Sequence, residues 1–231
     1  MSNVPPPPPP PGGDLPPPPP ATGPAPSGGV PIGDAYSWGW KKFTENAGAW
    51  IVIALVVVAI YLISALIRLP FADSIIVVLL LSGIGALAGF AAQYGLVRAS
   101  LLTANGEKPT VGRAWDLKDF GPFLIAAILE GVIVTIGFIL CFLPGLAALV
   151  LLWFTPFFVI DKGLPPIDAL KASVDLVTKN LGGIILFLIV SVAIYALGAA
   201  LCGIGLLVAG PVVLLATAFV YRRLAGTPVA A

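Results

Sequence analysis

AGAWIVIALVVVAIYLISALI, residues 47–67, is the stretch that decides the class of this chain, because it carries no charge from end to end. At about 1.5 Å per helical residue, such a run crosses a hydrocarbon layer about 30 Å thick. Five comparable apolar runs follow, over residues 75–97, 123–143, 145–160, 181–201 and 204–221. Leu143-Pro144-Gly145 and Cys202-Gly203 read as tight turns, so the last four runs pair as two hairpins. Pro156 and Pro211 fall inside the fourth and sixth runs, where neighbouring helices can satisfy the backbone groups a kink sets free. The chain reads as an all-α membrane protein with six transmembrane helices.

Composition narrows the function more by exclusion than by suggestion. The sequence is 58% hydrophobic and 10% charged, against about 25% charged in soluble domains. Twelve basic and eleven acidic residues nearly cancel, which removes any charge argument for a nucleic-acid partner. Histidine is absent, and two cysteines are too few for a thiolate metal site. No histidine-dependent nucleophile, phosphate-cradling loop or pair of intramembrane carboxylates occurs, so the chain reads as a non-enzyme without cofactor or metal. The first span is expected to act as an uncleaved membrane signal, since no cleavable leader precedes it.

The placement of charge is more informative than its sum. With six spans, eleven of the twelve cations collect on one face, and Arg68 alone marks the other. That asymmetry predicts cytoplasmic N- and C-termini. Residues 1–33 differ in kind, with proline blocks at 5–11 and 16–20 and 15 of the 24 prolines by Pro31. Proline lacks an amide donor and fixes φ, so this segment is expected to be a disordered cytoplasmic tail sampling polyproline II. It reads as a solvated spacer, or as a ligand for a cytoplasmic proline-binding protein.

Residues 34–46, DAYSWGWKKFTEN, and 168–180, DALKASVDLVTKN, share Asp-Ala at the start and Asn at the end. Tyr36, Trp40, Phe43 and Ala47 match Leu170, Val174, Val177 and Leu181 as an apolar stripe of helical period. Asp34 and Asp168 read as N-caps, and residues 110–120 as a shorter copy stopped by Pro122. Glycine and proline recur after three spans, at Gly106 and Pro109, Gly163 and Pro165, and Gly226 and Pro228. The expected architecture is three hairpins, each preceded by a cytoplasmic interfacial amphipathic helix in a pseudo-threefold repeat. Trp38, Trp40 and Trp115 are the expected anchors at headgroup level, with lysines facing anionic lipid. The proline blocks, glycine-rich spans and Asp-Ala…Trp-x-x-Phe…Asn segment together resemble the actinobacterial proline- and glycine-rich transmembrane proteins. The resemblance implies six spans and a plasma-membrane location, and brings no catalytic residues.

Few residues suggest a site. Glu130 is the one acid inside an expected span, about a third of the way along it, and an ionised group there is costly without a partner. It reads as a cation or proton relay, as the polar end of a substrate cavity, or as a protonated carboxyl bonded to Gln93, Ser191, Tyr195 or Thr135. Cys141 and Cys202 fall at equivalent span ends and are candidates for a bridge, with two inert thiols the alternative. Gly85 and Gly89 have the spacing that lets helices approach closely, within the chain or in a homo-oligomer. The expected function is a scaffold in the lipid bilayer, with the tail and interfacial helices meeting partners. The alternative is a small-solute or lipid permease with a cavity near Glu130.

Overall fold

The computed structural model describes residues 29–71, 73–201 and 203–230. The proline blocks of the expected tail and Cys202 therefore lie outside the described residues. Among the described residues the chain is helical, without strands. The helices are α1 (Ile32–Glu45), α2 (Ala47–Leu66), α3 (Ile75–Ala104), α4 (Val111–Ala114) and α5 (Phe120–Leu140). They continue as α6 (Phe142–Leu151), α7 (Thr155–Lys162), α8 (Pro166–Lys179), α9 (Leu181–Ala200) and α10 (Leu206–Leu224). Six helical segments are long and apolar enough to cross a membrane, with α6 and α7 together making the fourth.

Consecutive spans pack in pairs, α2 on α3, α5 on α6 and α9 on α10. The second members converge, since α3 packs against both α7 and α10, and Phe154, Phe157 and Phe158 surround the Tyr221 ring of α10. α10 is the most buried span, because α1, α2, α3 and α9 all cover it. The ends of α3, α7 and α10 gather Arg98, Lys162 and Arg222, and we call this the basic end.

Several boundaries differ from the sequence expectation, each for a local reason. The second span does not stop at Val97 but runs to Ala104, because Ala99, Leu101 and Ala104 are buried there and no breaker intervenes before Gly106. The third starts at Phe120, with Pro122 in its first turn, where a missing N–H costs nothing. Glu130 thereby lies at the middle of α5. The turn expected at Leu143-Pro144-Gly145 sits at Cys141, which is fully extended. Pro144 then falls within the first turn of α6, and Gly145 serves close approach. A Cβ on Gly137 of α5 would lie 2.8 Å from the Gly145 Cα. Asp34 and Asp168 are not caps but third residues of α1 and α8, favourable to the helix dipole. The caps are Pro31 and Pro165, whose carbonyls accept from Ala35 and Ala169 N–H at 2.9 Å.

α1 and α8 are each 14 residues long, and each ends at an asparagine with almost the same backbone, φ −131° at Asn46 and −129° at Asn180. Their buried stripes also correspond, Ala35, Gly39 and Phe43 against Ala169, Ser173 and Val177. Trp40, expected on that stripe, is exposed instead. The reason is contact with backbone. Gly39 lies on α10 so closely that a Cβ would stand 2.9 Å from Val212 O, and Ser173 Oγ accepts from Phe154 N–H (3.1 Å) and donates to Leu151 O (2.8 Å). Position 173 thus repairs the break between α6 and α7, where the helical ladder is interrupted ahead of Pro156. The exit glycines Gly106, Gly163 and Gly226 all have φ between 62° and 82°, the left-handed conformation that ends helices.

Candidate functional site

Phe123, Ala126, Ala127 and Gly137 form the buried stripe of α5. Glu130 belongs to it by helical spacing and faces the interior of the bundle. It enters a cavity of about 280 Å³ that also meets α3, α6, α7, α9 and α10. Gln93 of α3, Tyr195 of α9 and Thr217 of α10 are its other polar side chains, and Thr217 Oγ1 is committed to Val213 O at 2.8 Å. Trp153, Phe157 and Tyr195 supply aromatic wall. The α6–α7 break is therefore part of the cavity wall. The carboxylate of Glu130 makes no hydrogen bond or ion pair among the described residues. Gln93 and Tyr195 are exposed, so the cavity has an open rim.

Two features bound this cavity. Toward Gly203 and the start of α10 lies a second cavity of about 260 Å³, and Leu96, Tyr195 and Leu214 line both. Pro211 lines the second one, so α10 lacks a backbone N–H donor beside the shared wall. At the basic end Phe157 packs on Tyr221, with ring centroids 5.3 Å apart. Beyond it Arg222 donates to Asp161 Oδ1 (2.6 Å) and Asn105 Oδ1 (2.8 Å), while Tyr221 OH donates to Asp161 Oδ2 (3.0 Å). Arg222 and Asp161 are both nearly buried, and the three helices α3, α7 and α10 each contribute to the cluster.

A comparison with known proteins finds mycobacterial relatives. The uncharacterized protein Rv2560 of Mycobacterium tuberculosis (strain ATCC 25618 / H37Rv) and the uncharacterized protein Mb2590 of Mycobacterium bovis are each 31% identical over 228 residues. The match covers 87% of this chain and 70% of each relative. The chain belongs to their family. That kinship agrees with an actinobacterial origin. No family model matches the chain, and no solved structure does.

For this family member the residues suggested by sequence separate into distinct places. Gln93 and Tyr195 share the cavity with Glu130, whereas Ser191 is taken by the Tyr36 phenol at 2.6 Å. Burial raises the Tyr36 phenol above its ordinary value, and the Ser191 bond acts in the opposite direction. Of the three tryptophans, Trp40 is exposed. Trp38 is buried and donates to Ala230 O at 2.8 Å, and Trp115 donates to Ala91 O at 3.0 Å while packing on Gly95. Cys141 is exposed at the α5–α6 break, and its expected partner lies outside the described residues. Gly85 and Gly89 are filled within the chain, by Arg68 and the Tyr61 ring.

The Asp161–Arg222–Asn105 cluster and Ser173 were not singled out by sequence. Arg222 and Lys162 resemble ordinary flanking cations, and Asp161 an ordinary loop acid. The one available signal was an acid at the edge of a span on the cation-rich side. A second basic cluster, Arg98 with Asp116 at 2.6 Å and Asp119 at 3.6 Å, escaped for the same reason.

Proposed function

We propose that this chain is a non-enzymatic integral membrane protein of permease type, whose helical core binds a small solute or lipid-derived molecule beside Glu130. One observation carries the reading: a cavity at the middle of the spans reaches the lone intramembrane carboxylate, and its wall includes a broken span. Binding sites in membrane transporters commonly form where helices are interrupted at mid-depth. The second cavity beyond Leu96, Tyr195 and Leu214 gives the site a neighbouring compartment on the side away from the basic end. Three lead-in elements also support a pseudo-threefold build. α1 packs on α10, α4 on α3, and α8 on α6 and α7, so each covers the second helix of the preceding pair in cyclic order.

Cysteine reactivity tests the cavity. With both native cysteines changed to serine, Thr217→Cys should react with a small methanethiosulfonate far faster than Ile128→Cys on the outward face of α5. Thiolate forms only where water reaches. Adding Val213→Trp should fill the space and slow Thr217→Cys. Equal rates at positions 217 and 128 would reject the reading.

The scaffold reading stands second and is supported by a separate observation. Trp40 and Lys41 are exposed on α1, next to a chain segment rich in proline. In that reading the tail recruits a cytoplasmic proline-binding protein through its proline blocks. Cytoplasmic termini rest on the eleven-to-one cation asymmetry, and a plasma-membrane location on the family resemblance. Identical crosslinked partners with and without residues 1–30 would reject the tail's role, and a periplasmic reporter signal from a fusion after Ala231 would reject the orientation.

A further inference from the structure

We infer that the Glu130 cavity selects organic monocations with an apolar body, a substrate class that rests on the permease reading above. The argument begins with what the cavity lacks. No basic side chain lines it, so nothing in the wall neutralises Glu130, and an anionic ligand would meet like charge in a desolvated place. A metal ion is poorly served, because hard cations take several oxygen ligands and no group of three or more acidic, cysteine or histidine side chains occurs among the described residues. A sugar or other polyol would leave most of its hydroxyls unpaired, with only Gln93, Tyr195 and Thr217 beside the carboxylate.

What the cavity offers fits the remaining class. A carboxyl at mid-depth has no internal partner among the described residues, and a cation seated against it would favour its ionised form. Trp153, Phe157 and Tyr195 present aromatic surface to a cation, and Leu149 and Val213 line apolar wall. At about 30 Å³ per water in the liquid, a volume of about 280 Å³ corresponds to roughly nine waters. That suits a single-ring or short branched ammonium. The exposed rim at Gln93 and Tyr195 leaves the cavity open at its edge.

The test uses the full chain in lipid nanodiscs and tritiated benzyltrimethylammonium. The competitors are its neutral isostere neopentylbenzene and the anion phenylmethanesulfonate. Saturable cation binding should fall by about thirtyfold or more in Glu130→Gln, as expected when one member of a desolvated charge pair is removed. It should survive in part in Glu130→Asp and be unchanged in Asp168→Asn, an exposed acid on α8. Neopentylbenzene and the sulfonate should compete poorly. Equal cation binding by wild type and Glu130→Gln would overturn the proposal. So would displacement by neopentylbenzene as effective as by unlabelled cation, which would leave the cavity standing as a binding site without charge preference. If neither the cation nor a tritiated neutral probe binds, the proposal and the permease reading fall together. Competition on the wild-type chain decides the matter even if Glu130→Gln does not fold.

Discussion

The two ends of the bundle are built on different principles. At the basic end the buried residues of α3 all lie between Ala92 and Ala104, and those of α2 between Trp50 and Ala54. Aromatic rings pack around Tyr221, and two clusters of charge, at Arg222 and Arg98, tie separate helices together. At the other end Ile75, Ile76, Ile139, Leu140 and Ile204 are exposed, and the last two hairpins close through glycine pairs, Gly137 with Gly145 and Gly198 with Gly205. That half presents an apolar surface of the kind lipid covers. The contrast teaches that packing is concentrated where lead-in helices cover the spans, while the opposite half is held by few side chains, the pattern expected of a yielding region. A carboxyl-lined cavity at the junction of a closely packed and a sparsely packed half would suit the proposed permease site.

The sharpest way to break the contrast is to unlock the basic end. Arg222→Ala leaves the nearly buried Asp161 with Tyr221 OH and Lys162 Nζ (3.8 Å) alone, and removal of one partner of such a pair costs up to about 3–5 kcal/mol. Thermal unfolding in detergent should show a large loss. Asp161→Leu combined with Arg222→Met should lose much less than the sum of the single changes, because the charge and its partner leave together. Gly39→Val comes next. A branched side chain cannot fit 2.9 Å from Val212 O, so α1 must lift from α10 at about 1–3 kcal/mol. The same unfolding experiment checks it, with the exposed Gly33→Val as the control that should change little.

Much of this architecture can be read from the chain, and the failures share one cause. Hydropathy locates every span because a run such as 181–201 has no alternative environment. The exit glycines are legible because a left-handed residue ending a helix needs glycine. The stripe on α1 was misjudged at Trp40, however, since periodicity alone cannot show that the element underneath is backbone rather than side chains. Small residues, Gly39 and Ser173, then do what a large apolar residue was expected to do. The α5–α6 break escaped similarly, because Pro144 and Gly145 suit a turn and a helix start equally. Glu130 was conspicuous as an isolated charge, but its cavity is assembled from six helices, and no local pattern reports a space that distant residues enclose.

Ser173→Ala should produce a loss comparable to that of Gly39→Val. The hydroxyl joins Phe154 N–H and Leu151 O across the α6–α7 break, and removal leaves two buried backbone groups without it, at about 1–3 kcal/mol. Because the break is part of the Glu130 cavity wall, Thr217→Cys reactivity should change in Ser173→Ala as well, which a purely global loss of stability would not produce below the unfolding temperature.

Gly83→Ala, in the yielding half of α3, sharpens the comparison from the other side. A Cβ there meets nothing within 4 Å, and the residue is interior to a long helix. Alanine should be neutral or raise stability by up to about 1 kcal/mol, through its better helix propensity. If Gly83→Ala instead destabilised the chain as much as Gly39→Val, a protein neighbour would have to cover that surface, and the opposite half would not be the lipid-covered, loosely held region its exposure indicates.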